Sequence, residues 1–139
     1  MNNVTKMKIM KPAHEVFEAF VDPTKIGNFW FSSSSATWIQ GKTITLRYEE
    51  YNAQVEIEVV EIQADKKIVF KWGTNTVSIL LDEIDESTII EVVEEGFDEN
   101  DKDLLAKMLD NKEGWVFMLT CLKAYLESGV NQIRGGLVK

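Results

Sequence analysis

The chain has 139 residues, 45% hydrophobic and 27% charged, a composition that suits one globular domain with a single core and excludes a disordered chain. Its formal charge is −8 with a pI near 4.7. Lysines stand singly or as the pair Lys66-Lys67, so no basic patch overrides the repulsion of phosphate backbones or anionic lipid, and neither nucleic acid nor membrane is an expected partner.

No run approaches the ~18 apolar residues of a membrane span, and Met1-Asn-Asn-Val-Thr-Lys lacks the apolar centre of a signal peptide. Cys121 is the only cysteine, so no internal disulfide forms, which fits a reducing compartment. The expectation is a cytoplasmic protein, one domain over residues 1–139, with 131–139 as a tail.

In chain order, Thr5 to Met10 alternates polar and apolar side chains, which predicts a half-buried strand with Met7 and Ile9 inward. Pro12 opens a short amphipathic helix carrying Ala13, Val16, Phe17 and Phe20. Asp22-Pro23 repeats the start signal and predicts a second short helix or turn to about Gly27. The adjacent aromatics Phe29, Trp30 and Phe31 cannot share one face of a regular element, and Ser32 to Ser35 after them have loop composition. Strands are predicted over Thr37 to Gln40, Thr43 to Glu50, Gln54 to Ile62, Lys67 to Trp72, Thr76 to Leu81 and Ser87 to Glu95, with short turn-rich links. From Asp101 the period becomes helical, with Leu104, Leu105, Met108, Trp115, Met118, Leu119, Leu122, Tyr125 and Leu126 on one stripe, a bend expected at Asn111 to Gly114, and a stop at Gly129.

This order predicts an α+β fold: a curved antiparallel sheet wrapped around one long C-terminal helix, with two short helices after the first strand. A meander of that length has an apolar face too large for two short helices, so the long helix must lie across it. A strongly twisted sheet leaves space toward one open end, where a pocket forms.

The segments Lys11-Pro-Ala-His-Glu-Val-Phe-Glu-Ala-Phe-Val-Asp-Pro, Phe29-Trp-Phe, Gly41-Lys, Ile68-Val-Phe-Lys-Trp72 and Gly114-Trp115 through Leu126-Glu-Ser-Gly129 resemble the START-like (SRPBCC) superfamily. Within it they are similar to the branch named for the activator of heat-shock-protein-90 ATPase, also called polyketide-cyclase-like. The resemblance covers nearly the whole chain, and it implies a helix-grip fold with a cavity for an apolar or amphipathic ligand, without implying one activity.

Pocket walls are expected from Phe29, Trp30, Phe31, Trp38, Phe70, Trp72, Trp115, Met118 and Leu122, with simple core packing as the competing reading for each ring. Phe70 and Trp72 share strand parity with Ile68 and should face inward, with Val69 and Lys71 outward. In Gln54 to Ile62 the apolar parity switches at Val59-Val60; either a bulge resets the face or Glu56 and Glu58 point at the concave side as an acid/base pair. Ser32, Arg47 and Tyr48 are further polar candidates for a ligand head group. His14 falls off the apolar stripe of its helix, and Cys121 suits a buried thiol. Asp98 to Asp103 lacks the glycine and glutamate of a calcium loop, so those acids read as helix caps, and neither a metal nor another cofactor is implied.

Three functions compete: a module holding a hydrophobic or amphipathic small molecule, a cyclase or hydrolase acting through Glu56, Glu58 or Tyr48, and an interaction module for a chaperone or stress system. The sequence favours the first, because cavity-type aromatics appear without a converging acid, base and nucleophile.

Overall fold

The computed structural model describes residues 1–138; Lys139, part of the expected tail, lies outside them. Along the chain run β1 (Asn3–Ile9), α1 (Ala13–Val21), a 3-10 turn (Ile26–Asn28), β2 (Ser33–Ser34), β3 (Thr43–Tyr48), a second 3-10 turn (Glu49–Tyr51), β4 (Ala53–Gln63), β5 (Lys67–Trp72), β6 (Asn75–Ile84), β7 (Ser87–Glu95) and α2 (Leu104–Ser128). The strands form one curved antiparallel sheet in the order β1-β7-β6-β5-β4-β3-β2. Both helices pack on its inner face, where Phe20 of α1 and Leu119 and Leu122 of α2 join Ile44, Ile57, Phe70, Ile79 and Ile90 in one apolar cluster. This is the α+β helix-grip architecture that the sequence predicts.

The parity switch in β4 is a bulge. Pairing with β5 steps from Val59 opposite Phe70 to Glu61 opposite Val69, leaving Val60 unpaired. Ile57 and Val59 are buried, and Glu56 and Glu58 are exposed on the other side. The extra residue rotates the strand so that its apolar positions face the core on both sides of the bulge, which removes the inward carboxylate pair.

Other expectations shift. Thr37 to Gln40 is not a strand: Trp38 is drawn into the core, its backbone N–H donating to the Val21 carbonyl at 3.1 Å. The strand of that region lies instead in the serine run, where Ser33 and Ser34 pair with Arg47 and Leu46. The second short helix becomes the turn at Ile26–Asn28, and Asp22 closes the turn before it by accepting from the Thr24 amide and hydroxyl at 2.8 and 2.7 Å. Val69 is buried despite its outward parity. The acids before α2 fold the loop rather than cap the helix, with Asp98 and Asp101 accepting from Asn100 and Asp103, and Asp103, the N-cap, making no side-chain cap bond.

Helix α2 runs unbroken for 25 residues to Gly129, whose left-handed φ of 69° lets its amide reach the Tyr125 carbonyl. Its buried stripe begins only at Trp115. Leu104 and Met108 are half-buried and Leu105 is 70% exposed, because the first turns lie over a polar corner of the sheet. Further along, Lys112 and Lys123 donate to the Val4 and Lys8 carbonyls of β1 at 2.6 and 2.7 Å, covering that edge strand.

At the polar corner stands Glu94, 0% exposed at the end of β7. One carboxylate oxygen accepts from Asn75 of β6 at 2.9 Å and Asn111 of α2 at 2.8 Å; the other accepts from the Trp115 indole at 2.9 Å and, more weakly, from Asn3 of β1 at 3.5 Å. Four donors from three neighbouring elements converge on one side chain that only accepts, so the site is satisfied without a counter-cation. Glu94→Gln brings an NH₂ group against those donors and should destabilise the fold by about 1–3 kcal/mol in urea melts.

Candidate functional site

Between the β3 end of the sheet and the middle of α2 the structure leaves a cavity of about 530 Å³. Phe29 and Trp30 wall it from the segment after the first 3-10 turn, Tyr48 and Tyr51 from the end of β3, and Gly114, Phe117 and Met118 from α2. Arg134, Gly135, Leu137 and Val138 complete the wall from the C-terminal segment. A smaller space of about 180 Å³ lies beside it against Phe31, Trp72, Asp110, Asn111 and Trp115, and the two share Trp30, Tyr48 and Gly114. Trp30 is the hub of the ring cluster, 5.0 Å from Phe31, 5.8 Å from Trp115 and 6.1 Å from Trp72 between ring centres.

The irregular backbone at Phe29–Phe31 makes this arrangement possible. Outside a helix or strand no periodicity forces side chains to alternate, so all three rings are buried together. Gly114 contributes by what it lacks: a methyl group at its Cβ position would meet nothing within 4 Å. Trp115 is held in place by Glu94.

Of the expected pocket residues, Phe29, Trp30 and Met118 line the larger cavity and Phe31, Trp72 and Trp115 the smaller. Trp38, Phe70 and Leu122 lie in the core and line neither; the Trp38 indole N–H is buried without a hydrogen-bond partner among the described residues. Tyr48 lines both, and burial pushes its hydroxyl pKa up to about 12. Arg47 is exposed and borders a separate polar surface depression with Ser33 to Ser35. Ser32 stands behind the cavity wall, its hydroxyl donating to Glu50 at 3.1 Å and accepting from the Glu49 amide at 2.9 Å and from Arg134 at 3.1 Å. Cys121 is fully buried, and burial raises its thiol pKa.

Arg134, Leu137 and Glu94 escape the sequence reading. Glu94 left a trace, since it shares parity with the inward residues Ile90 and Val92. Nothing marks the C-terminal segment, which has neither helix nor strand yet docks through Asn131 to Asn28 at 3.2 Å, Arg134 Nε to the Trp30 carbonyl at 2.7 Å and the Tyr51 hydroxyl to the Leu137 carbonyl at 3.2 Å.

With this geometry in place, the chain can be compared with known proteins. The family described as Activator of Hsp90 ATPase homolog 1-like protein matches residues 11–127. The chain belongs to that family. Its fold is similar to protein SSP2350 from Staphylococcus saprophyticus, with 50% identity over 94% of this chain and 95% of that one and a TM-score of 0.88. It is also similar to the Aha1 dimer from Colwellia psychrerythraea, at 18% identity over 93% and 98% of the two chains with a TM-score of 0.81. DynU16, from the dynemicin biosynthetic locus, shares 21% identity over 94% of this chain but 48% of its own, with a TM-score of 0.81. The last two likenesses show the fold alone. No curated protein matches the chain in sequence. The stretch matched to the Hsp90-ATPase-activator-like family takes in Phe29, Trp30, Tyr48, Gly114 and Met118, and it ends before Arg134.

Two outcomes follow from this geometry. Gly114→Ala should raise stability by about 0.5–1 kcal/mol in denaturant melts, since it removes a mid-helix glycine at no steric cost. Glu50, whose carboxyl is held below its ordinary value of 4.5 chiefly by the hydrogen bond from Arg134, should release the C-terminal segment in acid. A depressed native pKa adds stability above the unfolded value and loses it as pH falls through the native one. Amide protection over residues 130–138, taken relative to the intrinsic exchange rate at each pH, should therefore fall as the pH is taken below 4.5, and by a modest amount because Glu50 is 36% exposed.

Proposed function

We propose that this chain is a binding protein for a small hydrophobic or amphipathic molecule, held in the cavity between the sheet, α2 and the C-terminal segment. The observation that carries the reading is the cavity itself: about 530 Å³, walled mostly by aromatic and aliphatic groups, with polar groups few and gathered at one side. That is the size and lining of sites that hold small organic ligands. Beside the space lies a continuous core of buried apolar side chains, which supports reading it as a distinct cavity.

Catalysis on the same scaffold is less well supported. Of the groups weighed for acid and base roles, Glu56 and Glu58 lie on the exposed side of β4. Tyr48 remains at the cavity, and with a hydroxyl pKa near 12 it serves as a neutral hydrogen-bond donor rather than a base at neutral pH. The buried free thiol of Cys121 is in keeping with a reducing, cytoplasmic setting.

The test is titration with Nile red, a neutral apolar dye. Binding should saturate, quench part of the tryptophan fluorescence through Trp30, and raise the melting temperature by mass action. Gly114→Leu places a side chain at the junction of both cavities and should block the dye while the circular dichroism and cooperative unfolding of the native protein persist. Dye binding that never saturates, or that Gly114→Leu leaves unchanged, would overturn the reading.

A further inference from the structure

The polar end of the cavity is rich in donors. Arg134 is the one cationic side chain among the described residues that line either cavity, and its side chain is only 12% exposed. Its guanidinium lies over the Tyr48 ring at 5.6 Å. Nε donates to the Trp30 carbonyl, Nη1 to Glu50 at 2.8 Å and Nη2 to the Ser32 hydroxyl. Those bonds occupy three of the five N–H groups that a guanidinium carries and leave two. Tyr48, on the same wall, makes no hydrogen bond through its hydroxyl to another described residue. Two guanidinium N–H groups and the Tyr48 hydroxyl are thus donors without an acceptor among the described residues.

We infer that the cavity takes an amphipathic carboxylate, its head group accepting from Arg134 and Tyr48 and its apolar tail lying against Phe29, Phe117 and Met118. The inference rests on the binding function proposed above and names its ligand class. A planar guanidinium matches a carboxylate better than it matches a single carbonyl oxygen, and partial burial strengthens the pair. Glu50, the present partner of Arg134, is more exposed and does not line the cavity, so it balances the charge from behind. The guanidinium lies over the Tyr48 ring and is the one cationic group at the wall, so an anion meets an opposite charge there although the chain as a whole carries −8. Because Arg134 follows the family-matched residues, this head-group contact is a feature of the chain's own C-terminal segment.

The experiment compares three ten-carbon probes by tryptophan fluorescence at neutral pH, below their micelle concentrations: decanoate, the methyl ketone 2-decanone, and decylammonium. Decanoate should bind about tenfold or more tightly than the ketone, and decylammonium most weakly, against the sign of the net charge. Arg134→Gln should bring decanoate down to the ketone's affinity. Arg134→Gln and Glu50→Gln both weaken the docking of the C-terminal segment, so the ketone's affinity is the reference for each, and Glu50→Gln is the decisive second variant. It removes the rival carboxylate while keeping a hydrogen-bond acceptor, and should tighten decanoate by about threefold or more without moving the ketone. A guanidinium that only anchors the segment predicts no gain from Glu50→Gln. Equal affinities for decanoate and ketone, or no gain in Glu50→Gln, would overturn the carboxylate while saturable Nile red binding left the cavity standing. Failure of Nile red together with all three probes would remove the binding function itself, and this inference with it.

Discussion

The buried carboxylate of Glu94 holds the two halves of the molecule in register. Asn75 and Asn3 reach it from the sheet, Asn111 and the Trp115 indole from α2, and no water or cation is needed to satisfy it. Apolar packing alone is tolerant of a sliding helix, since one greasy contact replaces another at little cost. A fully enclosed acceptor is not tolerant, because a shift of one turn would strand it without donors. The position of Trp115, and through it the width of the smaller cavity, follows from this fixed point.

With α2 tied at that corner and along β1 by Lys112 and Lys123, its middle faces the β3 end of the sheet across the cavity. The separation there is filled only in part, by Phe29, Trp30 and Phe31 below and by the C-terminal segment above. Gly114 faces the remaining space with no side chain. The cavity is thus a consequence of where the sheet and helix are fastened, and its polarity a consequence of which segment closes it.

Family membership and cavity chemistry carry different information. The match over residues 11–127 takes in β2 to β7, α1, all but the last residue of α2 and most of the apolar wall. The cationic group at the wall belongs to residues beyond that stretch, so a shared fold is compatible with different ligands in different members. Among the described residues, the one ionised group lining the larger cavity is supplied by the segment least like a regular element.

By itself the sequence determined the order of the long elements, the inward parity of Ile68, Phe70 and Trp72 and the bulge-or-inward choice in β4, since these are written in local periodicity, and the helix-grip class followed from that order and from the family resemblance. It determined the burial of Cys121 and the exposure of His14 in the same way. Only the tertiary structure decided that the bulge is real, that Trp38 and Phe70 fill core while Trp30 and Met118 face open space, and that the first turns of α2 leave Leu105 in solvent. The reason is that parity assigns a residue to a face but not to the neighbours it meets there. Arg134 and Leu137 sit in a segment with no period at all, and their place against Trp30, Tyr48 and Tyr51 arises from partners more than 80 residues away. Such contacts depend on where the whole chain ends in space, which no local pattern encodes.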